Sequence, residues 1–240
     1  MIVTLSGERG IVRRALFVVL VVVVGGGFLV PATSSQATGT PRLVPVSATV
    51  AGLTYRQWDV RWGRTQALTP VGAPNSLALT RSGRRCGVQL GNVRLMPVSF
   101  GGRLTARCTI PAGTFLVVPV TGYLASGESR RGLLAEAREA FEAIERARLT
   151  VNGRTVEPPG HVVTTPAYRV NLPRRNGLRV AAGRDWLLSR DYFAILSPPA
   201  VGTHTVTTLG VVRPPGQARF SLGVTYRITV QTGAGPGLTG

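Results

Sequence analysis

Short apolar or alternating segments, separated by glycine and proline, fill most of the chain from residue 76 onward. This pattern is typical of β-strands joined by tight turns. The segment 114–120 is continuously apolar, which predicts a strand buried on both faces. Two consecutive glycines separate the segments 93–99 and 103–110, and this spacing predicts a hairpin. Further strands are predicted at 167–172, 191–197, 203–212 and 218–231.

The segment 149–157 has Asn152-Gly153 between two short alternating stretches. Asn-Gly favours a type I′ hairpin turn because both residues tolerate positive φ. The strands do not alternate regularly with helices, as they would in a parallel sheet of βαβ units. The pattern therefore predicts a mainly β fold: an antiparallel β-sandwich, jelly-roll or immunoglobulin-like, with a short N-terminal helix and one inserted amphipathic helix.

The N-terminal helix is predicted over residues 54–67. Thr54 and Gln57 have the spacing of a capping box. A strand is the alternative, because Trp58, Val60 and Trp62 alternate, but the capping pair favours the helix. The inserted helix is predicted over residues 133–149. Its apolar stripe consists of Leu133, Leu134, Ala137, Phe141, Ile144 and Ala147, opposite a face of glutamate and arginine.

Tyr55, Trp58 and Trp62 fall on one face of the predicted N-terminal helix, among three arginines. One interpretation is an exposed aromatic platform that stacks on sugar rings, with the arginines binding anionic groups. The other is that the aromatic face docks the helix onto the sheets. A capped helix with a single aromatic face favours the second interpretation, since each buried tryptophan removes a large apolar area from water.

Residues 1–37 have the pattern of an export signal. Basic residues precede an apolar stretch at 15–30, and Ser35-Gln36-Ala37 matches a cleavage site, which predicts cleavage after Ala37. The apolar stretch has 16 residues, fewer than the roughly 20 that a membrane-spanning helix needs. An uncleaved signal anchor is the alternative, and it is the one segment with which we expect the chain to enter a membrane.

The remainder divides into three parts. Residues 38–48 are polar and contain proline, as expected of a linker. Residues 49–231 are expected to form one domain, which is long enough to bury a core without metals. The glycine-rich segment 232–240 is predicted to be a disordered tail.

All 28 basic residues are arginine, and the formal charge is +18. The absence of lysine, together with abundant Ala, Gly, Val and Pro, is typical of a GC-rich bacterial genome. Without residues 1–37 the charge remains +16. Nucleic acid is not an expected partner, because the chain is predicted to be exported, its arginines are scattered along the sequence, and no nucleic-acid-binding motif is visible. Salt-sensitive attraction to anionic envelope polymers or lipid surfaces is the expectation instead.

Cys86 and Cys108 both lie in the exported part. Two cysteines in an oxidising compartment are expected to pair, which argues against a catalytic thiol. With no C-x-x-C pair and two histidines, neither a metal site nor a cofactor is predicted.

Several segments together resemble a family of secreted bacterial proteins of unknown function. They are YRQWDVRW, the stretch from CGVQLGNVRLMPVSF to CTIPAGTFLVVPV, and the ending PPAVGTHTVTTLG to FSLGVTYRITV. This family combines an early tryptophan-rich helix, two cysteines, a C-T-[VI]-P-A-G turn and a P-x-G-x-H-T-[VI] hairpin. The resemblance covers most of residues 52–231. It implies an exported β-sandwich with a Cys86–Cys108 bridge, and it implies no activity. The loop at 174–184 departs from the family pattern.

Candidate ligand-binding residues are few. Trp186 and Asp185 fall in a segment read as a loop, where Trp186 is the better candidate for an exposed aromatic residue. His204 lies in a predicted strand, pointing away from the threonines on either side, and its expected role is to cap or pack a hairpin. Asp191 is the fourth candidate, because Asp185 and Asp191 are close enough in sequence to meet across a loop.

A glycoside hydrolase needs two facing acidic groups. Outside the inserted helix the exported part has few acids: Asp59, Glu128, Glu157, Asp185 and Asp191. No nucleophile-elbow or phosphate-loop motif is present. We therefore expect no catalytic residues. The favoured function is a secreted, non-enzymatic module that acts at the cell envelope, either binding an anionic cell-wall polymer or an envelope protein, or serving a structural role. An extracellular hydrolase acting on polysaccharide is the alternative.

Overall fold

Two large β-sheets, one small sheet and two helices form the structure. The computed structural model describes residues 39–79, 86–156 and 161–232. The predicted export signal and nearly all of the predicted tail lie outside these ranges. The strands are β1 (Thr49–Val50), β2 (Leu53–Thr54), β3 (Val88–Leu90), β4 (Val93–Leu95), β5 (Gly102–Pro111), β6 (Phe115–Gly127), β7 (Ile144–Val151), β8 (Arg154–Val156), β9 (Val162–Thr164), β10 (Tyr168–Leu172), β11 (Gly183–Leu196), β12 (Gly202–Val212) and β13 (Phe220–Gln231). The helices are α1 (Tyr55–Leu68) and α2 (Arg130–Glu142).

The first large sheet has the strand order β10-β11-β6-β4-β3, with β9 also paired to β11. The second has the order β5-β13-β12-β7-β8. The fold is mainly β, as predicted, but the sheets are not wholly antiparallel. Strands β4 and β6 pair in parallel, and so do β5 and β13. The expectation of purely antiparallel pairing was wrong because the chain passes repeatedly between the sheets, which places strands distant in sequence beside one another.

The predicted hairpin at the two glycines is also wrong. Strand β4 belongs to the first sheet and β5 to the second, so Gly101 and Gly102 lie where the chain changes sheets. Gly102 has φ of +70°, a conformation that glycine adopts without strain. A glycine pair shows where the chain turns but does not show which strand the next segment will pair with. The Asn152-Gly153 hairpin, by contrast, joins β7 and β8 as predicted, with φ of +49° and +78°.

An apolar cluster is shared between the two large sheets. Its members come from β6 and β11 of the first sheet and from β5, β7, β12 and β13 of the second. Tyr226 is buried in this cluster, and its hydroxyl donates to the Pro97 carbonyl oxygen at 2.5 Å. Cys86 and Cys108 form the predicted disulfide, which links the chain just before β3 to β5 of the second sheet. Closing this 22-residue separation stabilises the fold by about 3 kcal/mol in the chain-entropy model.

Helix α1 begins where the capping box predicts. The Thr54 side chain accepts from the Gln57 backbone N–H, and the Gln57 side chain accepts from the Thr54 backbone N–H. The helix lies against the first sheet, away from the cluster that the two sheets share. Trp58 is 2% exposed, and its indole N–H donates to the Val50 carbonyl oxygen at 2.9 Å. Trp62 is similarly buried and donates to the carbonyl oxygen of Met96. The aromatic face therefore belongs to the core.

Helix α2 is shorter than predicted. It ends at Glu142, and residues 144–151 form strand β7 instead of the last turns of a helix. The misleading feature is that Ala147, Leu149 and Val151 fit a period of two as well as a helical stripe. Pairing with β12 decides between the two, because it buries Leu149 and Val151 in the cluster between the sheets. Helix α2 itself buries little besides Leu133 and Ala137.

The segment predicted as a linker is attached to the domain. Leu43 forms an isolated β-bridge with Leu196, and the Val44 backbone N–H donates to the Ile195 carbonyl oxygen at 2.8 Å. Residues that precede α1 are therefore held at the end of β11. In the described ranges, neither helix has the length and apolar character needed to cross a membrane.

Candidate functional site

Asp185 and Trp186 lie within strand β11 and not in a loop. Val170 is the pairing partner of Asp185, and Arg169 is that of Trp186. Asp191 lies on the same strand, six residues on, which is roughly 20 Å along an extended chain. Asp185 and Asp191 therefore do not meet across a loop, as their spacing would have allowed, because pairing with β10 and β6 continues the strand through both positions.

Asp191 instead meets Asp59 of helix α1. Asp59 has no exposed surface and Asp191 is 6% exposed. The Ser189 hydroxyl also borders the pair. Gly122, the pairing partner of Asp191 on β6, leaves the space that the Asp191 carboxyl occupies: a Cβ there would lie 1.8 Å from the Asp191 Oδ1. The pair therefore depends on a helix position, a strand position and a glycine that are far apart in sequence.

Neither carboxyl oxygen of Asp59 accepts a hydrogen bond from a side-chain or backbone donor. Two ionised carboxylates cannot hydrogen-bond to each other, so contact between Asp59 and Asp191 requires a proton on one of them. Burial raises the pKa of Asp59 to about 7. Burial and the Asp59 charge together raise the pKa of Asp191 well above its usual range. The two acids consequently titrate as a coupled pair that retains a proton under mildly acidic conditions.

This geometry does not match a glycosidase. The two carboxyl groups of a glycosidase stand roughly 5–9.5 Å apart, which leaves room for the sugar or for water. Asp59 and Asp191 interact directly, and both are almost wholly buried. Asp191 borders a cavity of about 160 Å³ beside Trp62, but Asp59 is fully covered and cannot touch a substrate. The pair joins helix α1 to the first sheet and is not placed to act on a ligand.

A cleft of about 760 Å³ lies between strand β6, helix α2 and the loop at 177–180. Leu124, Leu178 and Phe100 supply apolar walls. Its acidic residue, Glu136, accepts a hydrogen bond from the Tyr123 hydroxyl at 2.5 Å. No second acid or histidine among the lining residues faces it, so the cleft offers no acid–base pair for catalysis.

His204 lies on β12 and is mostly buried. Its Nε2 is 2.8 Å from the Ala200 carbonyl oxygen, and its Nδ1 is 3.2 Å from the Asn152 side-chain amide. Because both ring nitrogens have protein partners, His204 is held as a connector between β12 and the β7–β8 turn.

Trp186 is half-buried, and guanidinium groups lie over its ring. The distance to the ring centroid is 4.3 Å for Arg169 and 5.0 Å for Arg130. Cations at these distances are attracted to the aromatic ring. They also cover surface on which a sugar would have to stack, so this arrangement favours internal packing over carbohydrate binding at Trp186.

The outward side of the second sheet carries a regular array of threonine and arginine. In β5 every second residue is buried in the shared cluster, and the residues between them point outward. The same alternation holds in β13 and β12 and in β7 from Arg146 onward. We call the outward set the Arg/Thr face: Arg103, Thr105, Arg107 and Thr109 of β5; Thr225, Arg227 and Thr229 of β13; Thr203, Thr205 and Thr207 of β12; Arg146, Arg148 and Thr150 of β7; and Thr155 of β8.

The strand pairing arranges these residues in rows across the sheet. Thr109, Thr229 and Thr203 form one row, and Arg107 and Arg227 lie side by side in the next. The following row consists of Thr105, Thr225, Thr207, Thr150 and Thr155. Leu209 and Val211 are apolar outward residues further along β12.

The face is strongly basic. The five strands of this sheet contain one acidic residue, Glu145, which is paired with Arg213 and Arg219 at 2.6 Å each. In the described ranges, no ion pair or aromatic contact engages the five arginines of the Arg/Thr face. Adjacent strands stand roughly 4.8 Å apart, so the face presents closely spaced cations and hydroxyls.

Sequence reasoning missed this face because the arginines are scattered along the chain. A usable indication was present in RLTARCT and in TYRIT, where arginine or threonine alternates with residues suited to the interior. Period-two alternation assigns such residues to one side of a strand, but it does not show which strands adjoin.

No group of three or more His, Cys, Asp or Glu residues in the described ranges could hold a metal ion. The Arg/Thr face combines guanidinium groups with hydroxyl donors, a combination suited to anionic groups. No protein-family model, curated protein or solved structure matches this chain.

Proposed function

We propose that this protein is an exported, non-enzymatic module that binds an anionic polymer of the bacterial cell envelope through its Arg/Thr face. We further propose that the two large sheets form a β-sandwich, in keeping with the resemblance to secreted bacterial proteins. The proposal of export rests on the pattern of residues 1–37. An envelope protein with an acidic surface is the runner-up partner, since the same face would attract it.

One observation carries the proposal: five arginines with no ion-pair or aromatic partner among the described residues share one sheet face, and the one acid of that sheet, Glu145, is already paired. Guanidinium groups bind carboxylate, sulfate and phosphate through paired N–H donors, and they lose less hydration energy than ammonium groups do. The threonine hydroxyls between them can donate to sugar or phosphate oxygens. An extended polymer that crosses several strands would meet several cations at once.

The expected binding is salt-sensitive, because much of the attraction acts between exposed charges. We would mix the purified protein with insoluble bacterial cell-wall polysaccharide and measure the fraction that sediments as the salt concentration increases. Neutral dextran and dextran sulfate, each immobilised, test whether charge is required. Retention on the anionic materials and release by salt are expected, with little retention on neutral dextran.

A matched pair of variants tests whether the polymer binds at the Arg/Thr face. The face variant carries glutamine in place of Arg103, Arg107, Arg148 and Arg227. The control variant carries glutamine in place of Arg42, Arg56, Arg174 and Arg175, which are exposed residues outside the second sheet. Both lose four charges. The face variant should bind at least about tenfold more weakly, whereas the control should stay within about threefold of wild type. Equal losses would show that net charge alone causes binding, which contradicts the proposal.

A further inference from the structure

A shallow surface pocket of about 230 Å³, which we call the dent, lies in the Arg/Thr face. Arg103 and Arg148 line it, together with Thr150, Thr207 and Thr225. This volume is below the usual range for drug-sized ligands, which is roughly 300–1,000 Å³. It is suited to a single small group.

The dent exists because the pairing between β12 and β13 is interrupted there. Paired positions end at Thr207 with Thr225 and resume at Gly210 with Leu222. Between them, the Val224 backbone N–H donates to the Thr208 side-chain oxygen at 3.1 Å. Gly223 lies in the gap, where a Cβ would stand 2.2 Å from the Thr208 carbonyl oxygen. A side chain is therefore excluded at the position that would otherwise fill the dent.

One arginine flanks the dent on each side. Arg103 pairs with Gly223 on one side, and Arg148 pairs with Leu209 on the other. These positions lie on β5 and β7, which are separated by β13 and β12, so their Cα atoms are roughly 14 Å apart. Side chains as long as arginine can approach a common ligand from both edges of a gap of this width.

Hydroxyl donors lie between the two cations. The Thr207 and Thr225 side-chain oxygens are 3.4 Å apart. Only one hydroxyl proton is needed to join them, so the other remains available to a ligand. Thr150 contributes a third hydroxyl from β7. Donors thus reach the dent from both edges and from the threonine row, while Leu209 lines it beside Arg148. Donors from several directions suit an anion whose oxygens point in several directions better than a planar carboxylate.

We propose that this dent binds one tetrahedral oxyanion, with a phosphate group of the polymer as the natural occupant. This inference narrows the proposed function to a phosphate-bearing polymer. The assignment of the polymer rests on the proposed function, whereas the binding of free phosphate does not. Arg103 and Arg148 clamp the phosphate oxygens, and the threonine hydroxyls complete the hydrogen bonds.

The test is a titration of the ¹⁵N-labelled protein with inorganic phosphate, followed by NMR at constant ionic strength maintained with chloride. Saturable shifts are expected at the amides of Thr207, Gly223 and Thr225. Sulfate should reproduce them, and acetate should act at least about tenfold more weakly. Shifts spread evenly over the Arg/Thr face, or equal effects of acetate, would overturn the assignment.

Two double variants locate the site. Replacing Arg103 and Arg148 with glutamine should weaken phosphate binding at least about tenfold. Replacing Arg107 and Arg227 removes the same charge from the same face outside the dent, and should change phosphate affinity by less than about threefold. Amide spectra of both free variants check that the fold is retained. An equal loss in both would contradict a discrete site.

Measuring phosphate binding and polymer retention on the same wild-type protein separates this inference from the proposed function. Phosphate binding that fails while wild-type protein still sediments with anionic cell wall contradicts the dent alone. Phosphate binding without retention on any anionic polymer contradicts the proposed function alone. A phosphorylated polymer such as soluble polyphosphate should compete with inorganic phosphate at the dent, whereas polygalacturonate should not.

Discussion

The two large sheets expose their outer sides in different ways. Helix α1 covers the outer side of the first sheet, and α2 packs on its other side, next to the cluster that the two sheets share, whereas the outward side of the second sheet carries arginine and threonine. In the first sheet and α1, Arg64, Arg169 and Arg190 lie over aromatic rings. On the second, arginines have no such partner in the described ranges. The comparison shows that arginine packs on aromatic rings where helices accompany a sheet, and that it has no such contact in the described residues of the uncovered face.

The acids differ in the same way. Seven of the eight acidic residues in the described ranges belong to α1, α2, the turn before α2 and β11, on the side of the first sheet. The second sheet keeps only Glu145. A basic chain can thus hold a buried acid pair and a nearly acid-free face in the same domain, because the sheets separate the two environments.

The largest expected effect comes from removing the aromatic side chains that pack helix α1 onto the first sheet. Replacing Trp58 and Trp62 together with alanine should prevent stable folding, since each buried aromatic deletion costs roughly 3–5 kcal/mol and a typical domain has about 5–15 kcal/mol of stability. Circular dichroism and thermal melting measure this. Trp186→Ala, at a half-buried position, is the control and should leave a folded protein. A fully folded double variant would contradict the core role of α1.

The next largest effect concerns the acid pair. The pKa of Asp59 in the folded state, about 7, lies above its ordinary value of 3.8, so the folded protein holds a proton that the unfolded chain releases. The resulting contribution to stability is present below about pH 4 and is lost as the pH rises through about 7. Ionising Asp59 in its buried position therefore lowers the free energy of unfolding.

Asp59→Asn cannot ionise, so it removes the loss of stability that accompanies rising pH while keeping the side-chain shape. The variant should be more stable than wild type at pH 8 and close to it at pH 4, as measured by urea unfolding across this range. Asp185→Asn, on the same strand as Asp191 but away from the pair, should retain the wild-type dependence on pH. If Asp59→Asn follows the wild-type curve, the shared proton is ruled out.

The smallest effect is expected from single arginine substitutions, one in the first sheet and one in the second. Arg169→Gln removes a guanidinium from the Trp186 ring and should lower the free energy of unfolding by about 0.5–1 kcal/mol. Arg227→Gln, on the Arg/Thr face, should change it by less than about 0.5 kcal/mol. Urea unfolding of both variants measures the difference. Equal destabilisation would mean that the face also has a structural role.

Local patterns predicted the elements whose causes are local. The capping residues place the start of α1, and Asn-Gly places the β7–β8 turn. They failed where two local patterns competed, as in residues 144–151, whose apolar positions fit a helix or a strand until β12 pairs with them. The Gly101-Gly102 turn failed for a related reason, because a turn does not specify its pairing partner.

The candidate sites show the same limit. Asp191 was identified as a candidate, but the acid considered as a possible partner was Asp185, six residues earlier in the sequence. Asp59 became its partner because α1 packs across β11, a contact between residues 132 positions apart. The arginines were counted correctly and described as scattered, which is true of the chain but not of the second sheet.

The sequence by itself determined the mainly β character, the early aromatic helix, the cysteine pair and the excess of positive charge, because each follows from residue type and short-range spacing. Only the tertiary structure decided which strands adjoin, where Asp59 meets Asp191, and that arginines and threonines from several strands share one open face. These depend on long-range pairing, whose stability comes from burying alternate residues of distant strands in a common cluster. That burial turns the remaining residues outward together, which creates the proposed binding surface.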